Sequence, residues 1–515
     1  MTGRIVCSTK PTVPLTPGFG RSSMGKTASH ALQVSSVMVS LALCCGADPA
    51  LGQQPGPAPN QPVRPEPAAA TPAAAPPDVA GGSGQQVQLE PAAAAPASAP
   101  PVAPPKHTST EQGRTHMDKS FDWHIWEPLP EEYDALKATE FNLEVKTFYF
   151  DQNRFDDSER QAWALGGSIG AKTGYFLNHF ALGGTFYTSQ PLYAPEGKGN
   201  TKVLKPDQDG YSVFGEYYLN LRANDLLHFY AGAKGYDSPY INRHLIRMTP
   251  NTFQAYVLRG STGTNKTGGV INYAAGYFDK IKLMDSDSFE SMSSAAGVPE
   301  DRGVVTGGAH YTKGIFNVGA INYFCADVIN IAYAESGLEF PISDHWKPRL
   351  TLQFTDQRSV GSELLTGGSF EAQQFGIRAE LPVGHALFTA AYTQMFGDYD
   401  LQSPWGGVPG WTSVQVQDFD RQGEGAFLLR GSYKFTHLVD GLSAYALVVF
   451  GTDPDGATQY RQNEYDFNVE WAPTKGFLKN LSLRMRYAIV EQSGGDVDNL
   501  TDFRVIASYN IPIRF

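Results

Sequence analysis

Beyond its first 52 residues the chain has no long apolar run. The longest stretch, residues 444–450, is far short of the roughly 18 consecutive apolar residues a membrane helix needs, so a helical membrane protein is excluded. Cysteine is nearly absent too. Of four in 515 residues, Cys7, Cys44 and Cys45 fall in the leader, and Cys325 alone offers neither a disulfide framework nor a cysteine zinc site. Positive charge is in deficit, with 40 Lys and Arg against 52 Asp and Glu, and the basic residues form no runs. A net charge of -12 therefore argues against a nucleic-acid partner. No HExxH and no Gly-rich phosphate loop between strand and helix is found, so no metal and no cofactor is expected.

What is present begins with a leader. Met24, Lys26 and the apolar run 31–45 give a short basic end and a hydrophobic core, followed by small residues at 47–52. Residues 1–52 read as an export signal whose start is Met1 or Met24; a lipoprotein signal ending at Cys44 or Cys45 is the alternative. Residues 53–106 are dominated by Pro and Ala and read as an extended linker, either a plain spacer or an arm toward a cell-wall partner. The segment 120–138, with Phe121, Trp123, Trp126 and Tyr133, reads as a short plug or an interfacial anchor. It completes a pre-barrel region, 53–139.

From residue 140 onward one unit recurs: about ten alternating residues, then a turn. In 501–515 the odd positions Phe503, Val505, Tyr509, Ile511 and Ile513 are apolar or aromatic, while Asp502, Arg504 and Asn510 are even. In 481–490 Leu483, Met485 and Tyr487 alternate with Arg484 and Arg486. A helix would scatter these arginines, whereas a strand puts them on one face. Eighteen such segments are expected, at 141–149, 160–171, 176–188, 211–222, 225–234, 252–262, 269–279, 303–312, 314–324, 326–336, 346–357, 370–383, 385–396, 425–436, 441–451, 461–473, 479–491 and 501–515.

The connections are sorted by length. Those after odd-numbered segments include 189–210, 235–251, 280–302 and 397–424, while most after even-numbered ones are a few residues long. A soluble sandwich has no reason for this sorting. An outer-membrane barrel does, with short periplasmic turns at one rim and long extracellular loops at the other. The expected fold is all-β, a transmembrane antiparallel β-barrel of about 18 strands spanning 140–515, with loops folded inward. Arginine on the lipid face costs about 2 to 4 kcal/mol at mid-membrane, so Arg484 and Arg486 must face the lumen. Tyr217, Phe229, Tyr277, Tyr445 and Phe515, at strand ends or on outward faces, are expected to contribute to aromatic girdles.

The stretch 236–253, YDSPYINRHLIRMTPNTF, is too long for a turn and lies in the third connection on the long-loop rim. Its Arg247, Met248, Pro250, Thr252 and Phe253 resemble the constriction-loop motif of the OprD-type family of substrate-specific outer-membrane porins. LEVKTFYFD at 143–151 and LSLRMRY at 481–487 support the resemblance, which covers roughly 141–515. It implies that Arg247 stands at the eyelet and that Arg484, Arg486 and Arg504 are rungs of a basic ladder. Lys146 stands where the family commonly has arginine. Asp237, Tyr240 and Arg243 line the eyelet or hold the loop against the wall. The terminal aromatic Phe515 is implied to be read by the barrel assembly machinery.

The expected function is passive, selective diffusion of small carboxylate-bearing solutes, amino acids or organic acids, across the outer membrane of a Gram-negative bacterium. Outer-membrane lipid and the solutes are the partners, and the barrel is a monomer or a trimer. A guanidinium fork offers two parallel hydrogen bonds to a carboxylate, so spaced arginines can pass such a group along. The plainer reading is that these arginines pair with Asp466, Glu470 or Asp502. A different class of function, a non-transporting barrel that is either a surface hydrolase or an adhesive or structural protein, has only the residue types His310, Ser432, His437 and Asn468 behind it, without a motif. No enzyme is expected.

Overall fold

The computed structural model describes residues 135–136, 138–264, 268–343, 346–455, 459–493 and 499–514. The leader, the Pro/Ala segment, nearly all of 120–138 and Phe515 lie outside the described residues.

Alternation becomes strands along the whole described chain. The first seven are β1 (Glu140–Asn153), β2 (Glu159–Lys172), β3 (Phe180–Tyr193), β4 (Tyr211–Asn224), β5 (Leu227–Lys234), β6 (Thr252–Thr264) and β7 (Gly269–Lys282). A two-residue strand, β8 (Glu290–Ser291), pairs only with the end of β7 and leads into a single helical turn, α1 (Met292–Ala295). Next come β9 (Val304–Lys313), β10 (Phe316–Cys325), β11 (Ile329–Glu339), β12 (Arg349–Arg358), β13 (Glu371–Val383) and β14 (Ala386–Gly397). The last five are β15 (Gly425–Lys434), β16 (Leu442–Gly451), β17 (Gln462–Trp471), β18 (Leu481–Gln492) and β19 (Asn499–Arg514).

Apart from β8, these strands form one antiparallel wall of eighteen in which each neighbours the next in sequence. The ring closes through β1 and β19, from Glu140 opposite Arg514 to Asn153 opposite Thr501, which leaves no sheet edge unpaired. Loop lengths sort as expected: 194–210, 235–251, 283–303 and 398–424 lie on one rim, and turns such as 225–226, 314–315 and 384–385 on the other.

The expected third strand differs from β3 at both ends. Leu177 and Asn178 take φ of 49° and 63°, and Phe176 bridges Phe180, so the turn occupies the first residues assigned to that strand. At its far end β3 continues to Tyr193 because a register shift opposite Trp163 and Ala164 accommodates Pro191.

Outward positions are apolar and open. Ile169 is 53% exposed, Phe214 54%, Phe388 53% and Phe467 51%, each alternating with covered neighbours. A soluble protein rarely leaves so continuous an apolar surface uncovered; a barrel wall facing hydrocarbon must. Tyr217 and Tyr277 stand on this outer surface. Tyr445 does not. It is buried on the inward face, where its ring meets arginines, because both faces of β16 are apolar at 444–450 and alternation alone leaves the direction open.

Inside, the four long loops fold back into the lumen. Tyr240 and Ile241 of loop 235–251, Met292 and Val298 of loop 283–303, and Trp405 of loop 398–424 join Tyr323, Ile331 and Tyr333 of the wall in one apolar cluster. A second cluster sets Trp411, Val414 and Phe419 of loop 398–424 on Leu428, Leu447 and Val449. A third packs Val203, Leu204 and Met248 on Phe148 and Phe150.

Candidate functional site

Loops 235–251 and 398–424 meet inside the barrel. In loop 235–251, Tyr240 is fully buried, its hydroxyl donating to Thr355 Oγ1 (3.1 Å) and its N–H reaching Tyr323 Oη (3.3 Å). Asn242 then joins this loop to loop 398–424. Its amide Nδ2 donates to Gly407 O (3.3 Å), its Oδ1 accepts from Gly407 N (3.1 Å), and its backbone N–H donates to Trp405 O. Gly406 must stay small, since a Cβ there would stand 2.6 Å from the Asn242 amide. Trp405 in turn donates from Nε1 to Met292 O (2.7 Å), so three loops are tied together.

The half-exposed pair Asp237 and Arg243 faces open space on loop 235–251. Arg243 Nε donates to Asp237 Oδ2 (2.7 Å), and the Arg243 N–H donates to Oδ1 (3.2 Å). Burial pushes the Asp237 carboxyl up, but Arg243 pulls it further down, so it ends below its ordinary value; the same pairing raises the Arg243 guanidinium. Sequence reading left these residues either lining the eyelet or holding the loop. Within the loop the two bond to each other, and Gly235 lies so close to Arg243 that a Cβ would meet Cδ at 2.7 Å.

Arg247 is 4% exposed. Its guanidinium lies over the rings of Phe150 (4.7 Å) and Phe148 (6.0 Å), and Nε donates to Thr201 O (2.9 Å). Burial, reinforced by nearby Arg504, pushes its pKa well down. Lys146 on β1 donates to the carbonyl of Arg247. The two are thus brought together, with the lysine holding the loop through its backbone.

On the wall, strand register orders the basic residues. Cross-strand pairing puts Arg378 in one inward row and Arg430 in the next. Arg486 and Arg504 share the third, Arg484 stands in the fourth and Lys146 in the fifth. Successive inward rows lie about 7 Å apart along a strand, so these side chains form a staircase across β13, β15, β18, β19 and β1. Their exposure differs. Arg486 and Arg504 are fully buried. Arg504 forks onto Asp502 (2.6 and 3.0 Å) and donates to Gln415 O (3.1 Å), while Arg486 donates to Tyr445 Oη (3.2 Å). Arg484 is half-buried, with Nε on Asn468 Oδ1 (2.7 Å). Arg430 is also half-buried, stacked over Tyr445 at 3.9 Å, and Arg378 stacks on Trp411 at 3.8 Å.

Arg378 and Arg430 were missed from sequence. Each sits at an even position of an alternating strand, in GIRAEL and LLRGSY, and shares inward parity with residues now seen to be covered; that parity was the available signal. The four residues of the hydrolase alternative do not assemble. His310 lies on β9 and His437 in the turn after β15, stacked on His385 at 5.1 Å, while Ser432 and Asn468 each accept from an arginine.

Loop 398–424 covers the buried middle of the staircase. Its Gln415 N–H donates to Asp466, and the N–H groups of Val416 and Gln417 donate to the two oxygens of Glu464 (2.7 Å each). Gln415 Nε2 donates to Asp502 Oδ1 (2.8 Å). Three wall carboxylates therefore hold the loop, mostly by its backbone.

An eighteen-strand wall, inward loops tied to one another and a graded basic staircase are the parts of a selective pore. Residues 135–513 match the family described as outer membrane porin, OprD family. The chain belongs to the OprD family. Similar solved structures include a BenF-like porin from Pseudomonas fluorescens Pf-5 (19% identity, 74% of this chain and 100% of that one, TM-score 0.66). Pseudomonas aeruginosa OccK9 (OpdG) is 22% identical over 74% of this chain and 100% of its own, with a TM-score of 0.67. OpdK of the same species, solved with vanillate, is 19% identical over 73% and 100%, with a TM-score of 0.65. No curated protein matches the chain by sequence. OprD-family proteins are outer-membrane porins, and the barrel described above is of that kind.

Proposed function

We propose that this OprD-family barrel conducts small carboxylate-bearing solutes, amino acids or organic acids, down their gradient across the outer membrane of a Gram-negative bacterium. The observation that carries the reading is the staircase, in which a basic side chain occupies each of five successive inward rows. A carboxylate that leaves one basic side chain meets another further along the wall, and no single site must bind tightly enough to trap it. The half-buried Arg484 and Arg430 meet the solute. The fully buried Arg486 and Arg504 shape the wall and its field, with Arg504 satisfied by Asp502. Arg247, covered by aromatic rings and loop carbonyls, sets the position of loop 235–251 and contributes charge at the eyelet. Vanillate in the OpdK structure is a carboxylate, which agrees with the reading.

Surrounding lipid, the solutes and the assembly machinery are the partners proposed, with Phe515 as the assembly signal and the barrel a monomer or a trimer. Liposome swelling with Arg484→Ala and Arg430→Ala together tests the transport reading. Uptake of a carboxylate should fall about tenfold, the equivalent of about 1.4 kcal/mol, while a neutral sugar of equal size is little changed. Equal slowing of both would assign the arginines a structural role only.

A further inference from the structure

Two histidines meet on the short-turn rim, the one that faces the periplasm in an outer-membrane barrel. His385 lies in turn 384–385 between β13 and β14, and His437 in turn 435–441 between β15 and β16. Strand pairing brings the turns side by side, since Ala386 stands opposite Tyr433 and the Lys434 N–H donates to His385 O (3.0 Å). Turn 435–441 is wound back on itself: the N–H groups of Leu438 and Val439 both donate to Phe435 O (2.8 and 2.9 Å), and the Phe435 N–H donates to Leu442 O (2.8 Å). The two imidazoles thereby come to rest with ring centres 5.1 Å apart and planes 24° from parallel. The Tyr433 ring packs on both, 6.2 Å from His385 and 6.0 Å from His437. Both histidines are exposed, and neither imidazole makes a hydrogen bond among the described residues.

Ring stacking is the plainer account of such a pair, but the spacing has a further use. A tetrahedral metal ion takes imidazole nitrogens at roughly 2.0–2.1 Å, which sets the centres of two bound rings about 5 Å apart. The backbone already holds the rings at that separation, so engaging an ion needs side-chain rotation and no movement of the strands. We propose that His385 and His437 form a site for a divalent late first-row metal ion, Cu²⁺, Ni²⁺ or Zn²⁺, that clips turn 384–385 to turn 435–441. Imidazole suits these ions, whereas Ca²⁺ and Mg²⁺ prefer oxygen ligands. Among the described residues no third histidine, cysteine or carboxylate completes the set, so water fills the remaining positions and the ion is exchangeable. The two ligands are far apart in sequence and follow no metal motif, so only the strand pairing reveals them. The clip closes the rim end of the strands that carry Arg378 and Arg430, and binding only to the folded barrel raises its stability.

The test uses the full chain, refolded in detergent without an affinity tag, and Cu²⁺ alone as the probe. Calorimetric titration should show one ion per barrel at micromolar affinity, with an electron paramagnetic resonance spectrum of nitrogen ligation and a rise in unfolding temperature on saturation. His385→Gln and His437→Gln should each weaken binding at least about tenfold and abolish that rise. They lie in separate exposed turns, so a folding failure of one, seen as lost barrel mobility on an unheated gel, leaves the other to decide. His107, His116 and His124 precede the barrel and are potential copper ligands too. A chain with His107→Gln, His116→Gln and His124→Gln should therefore keep its ion. Binding no tighter than millimolar, a stoichiometric ion that survives both turn substitutions, or one lost with the three N-terminal histidines overturns the site.

Discussion

The two halves of the lumen hold their loops by different means. Facing β10 and β11, loops 235–251 and 283–303 are seated by burying Tyr240, Ile241, Met292 and Val298 against Tyr323, Ile331 and Tyr333. Along β17 to β19 the inward face is charged, and loop 398–424 is seated by its own N–H groups on Glu464 and Asp466, with its Gln415 amide on Asp502. Apolar seating is tolerant of small shifts, because it depends on area removed from water. Carboxylate seating fixes position, because each bond has a direction, but it leaves buried charge that must stay paired. The solute path proposed here runs along the charged half, where the side chains that hold the loop lie next to those that meet the solute.

The largest expected effect comes from breaking the charged side. Asp502→Ala would take the carboxylate fork from the buried Arg504 and strip an acceptor from Gln152 and Gln415. Losing one partner of such a pair costs about 3 to 5 kcal/mol, so urea unfolding of the refolded barrel should show a clear loss of stability. Replacing both partners by apolar residues of similar size, Asp502→Leu with Arg504→Met, should recover much of it.

Tyr240→Ala tests the apolar side. It removes a fully buried ring and one hydroxyl bond, at a cost of about 3 kcal/mol or somewhat more by comparison with other large aromatic truncations. Its mark should be on the loop: loop 235–251 loosens and single-channel current in planar bilayers becomes larger and noisier. A current unchanged from the wild type would show that the buried ring does not seat the loop.

The smallest effect is reserved for acid. Asp237 has a depressed pKa, so its pairing with Arg243 contributes fully above the ordinary carboxylate value of about 3.9 and is lost as pH falls through the lower, folded value. Current noise from loop 235–251 should be unchanged from pH 7 to 5 and rise only below about pH 4. Arg243→Met should show the raised noise at pH 7. Noise that grows already between pH 7 and 5 would place the sensitive group elsewhere in the loop.

Strand number, direction and register could be read from sequence, because a side-chain period of two, a wall buried on one face and sorted loop lengths constrain one another. Register was sharpest where one face was polar, as at Arg484 and Arg486, and weakest at β16, where Tyr445 and its neighbours are apolar on both faces. The inward fold of loop 235–251 was expected from its place as the third loop on the long-loop rim and from the resemblance of its motif to the family's constriction loop. That of loop 398–424 was not, because its anchors are backbone N–H groups, which every residue carries. For the same reason alternation put Arg504 and Asp502 on one face without showing that they pair to each other, and gave no hint that a loop would cover Arg486 while leaving Arg484 and Arg430 within reach of the lumen.

The junction between the two loops also bears on how such a pore diverges. Asn242 grips the backbone of Trp405 and Gly407, and Glu464 and Asp466 grip the backbone of residues 415–417. Apart from the small residue required at position 406, and Gln415 with its bond to Asp502, these anchors place little demand on side-chain identity along loop 398–424. Outside the residues packed into the apolar clusters, Trp405, Trp411, Val414 and Phe419, mutational drift can exchange side chains of this loop while the aperture keeps its frame.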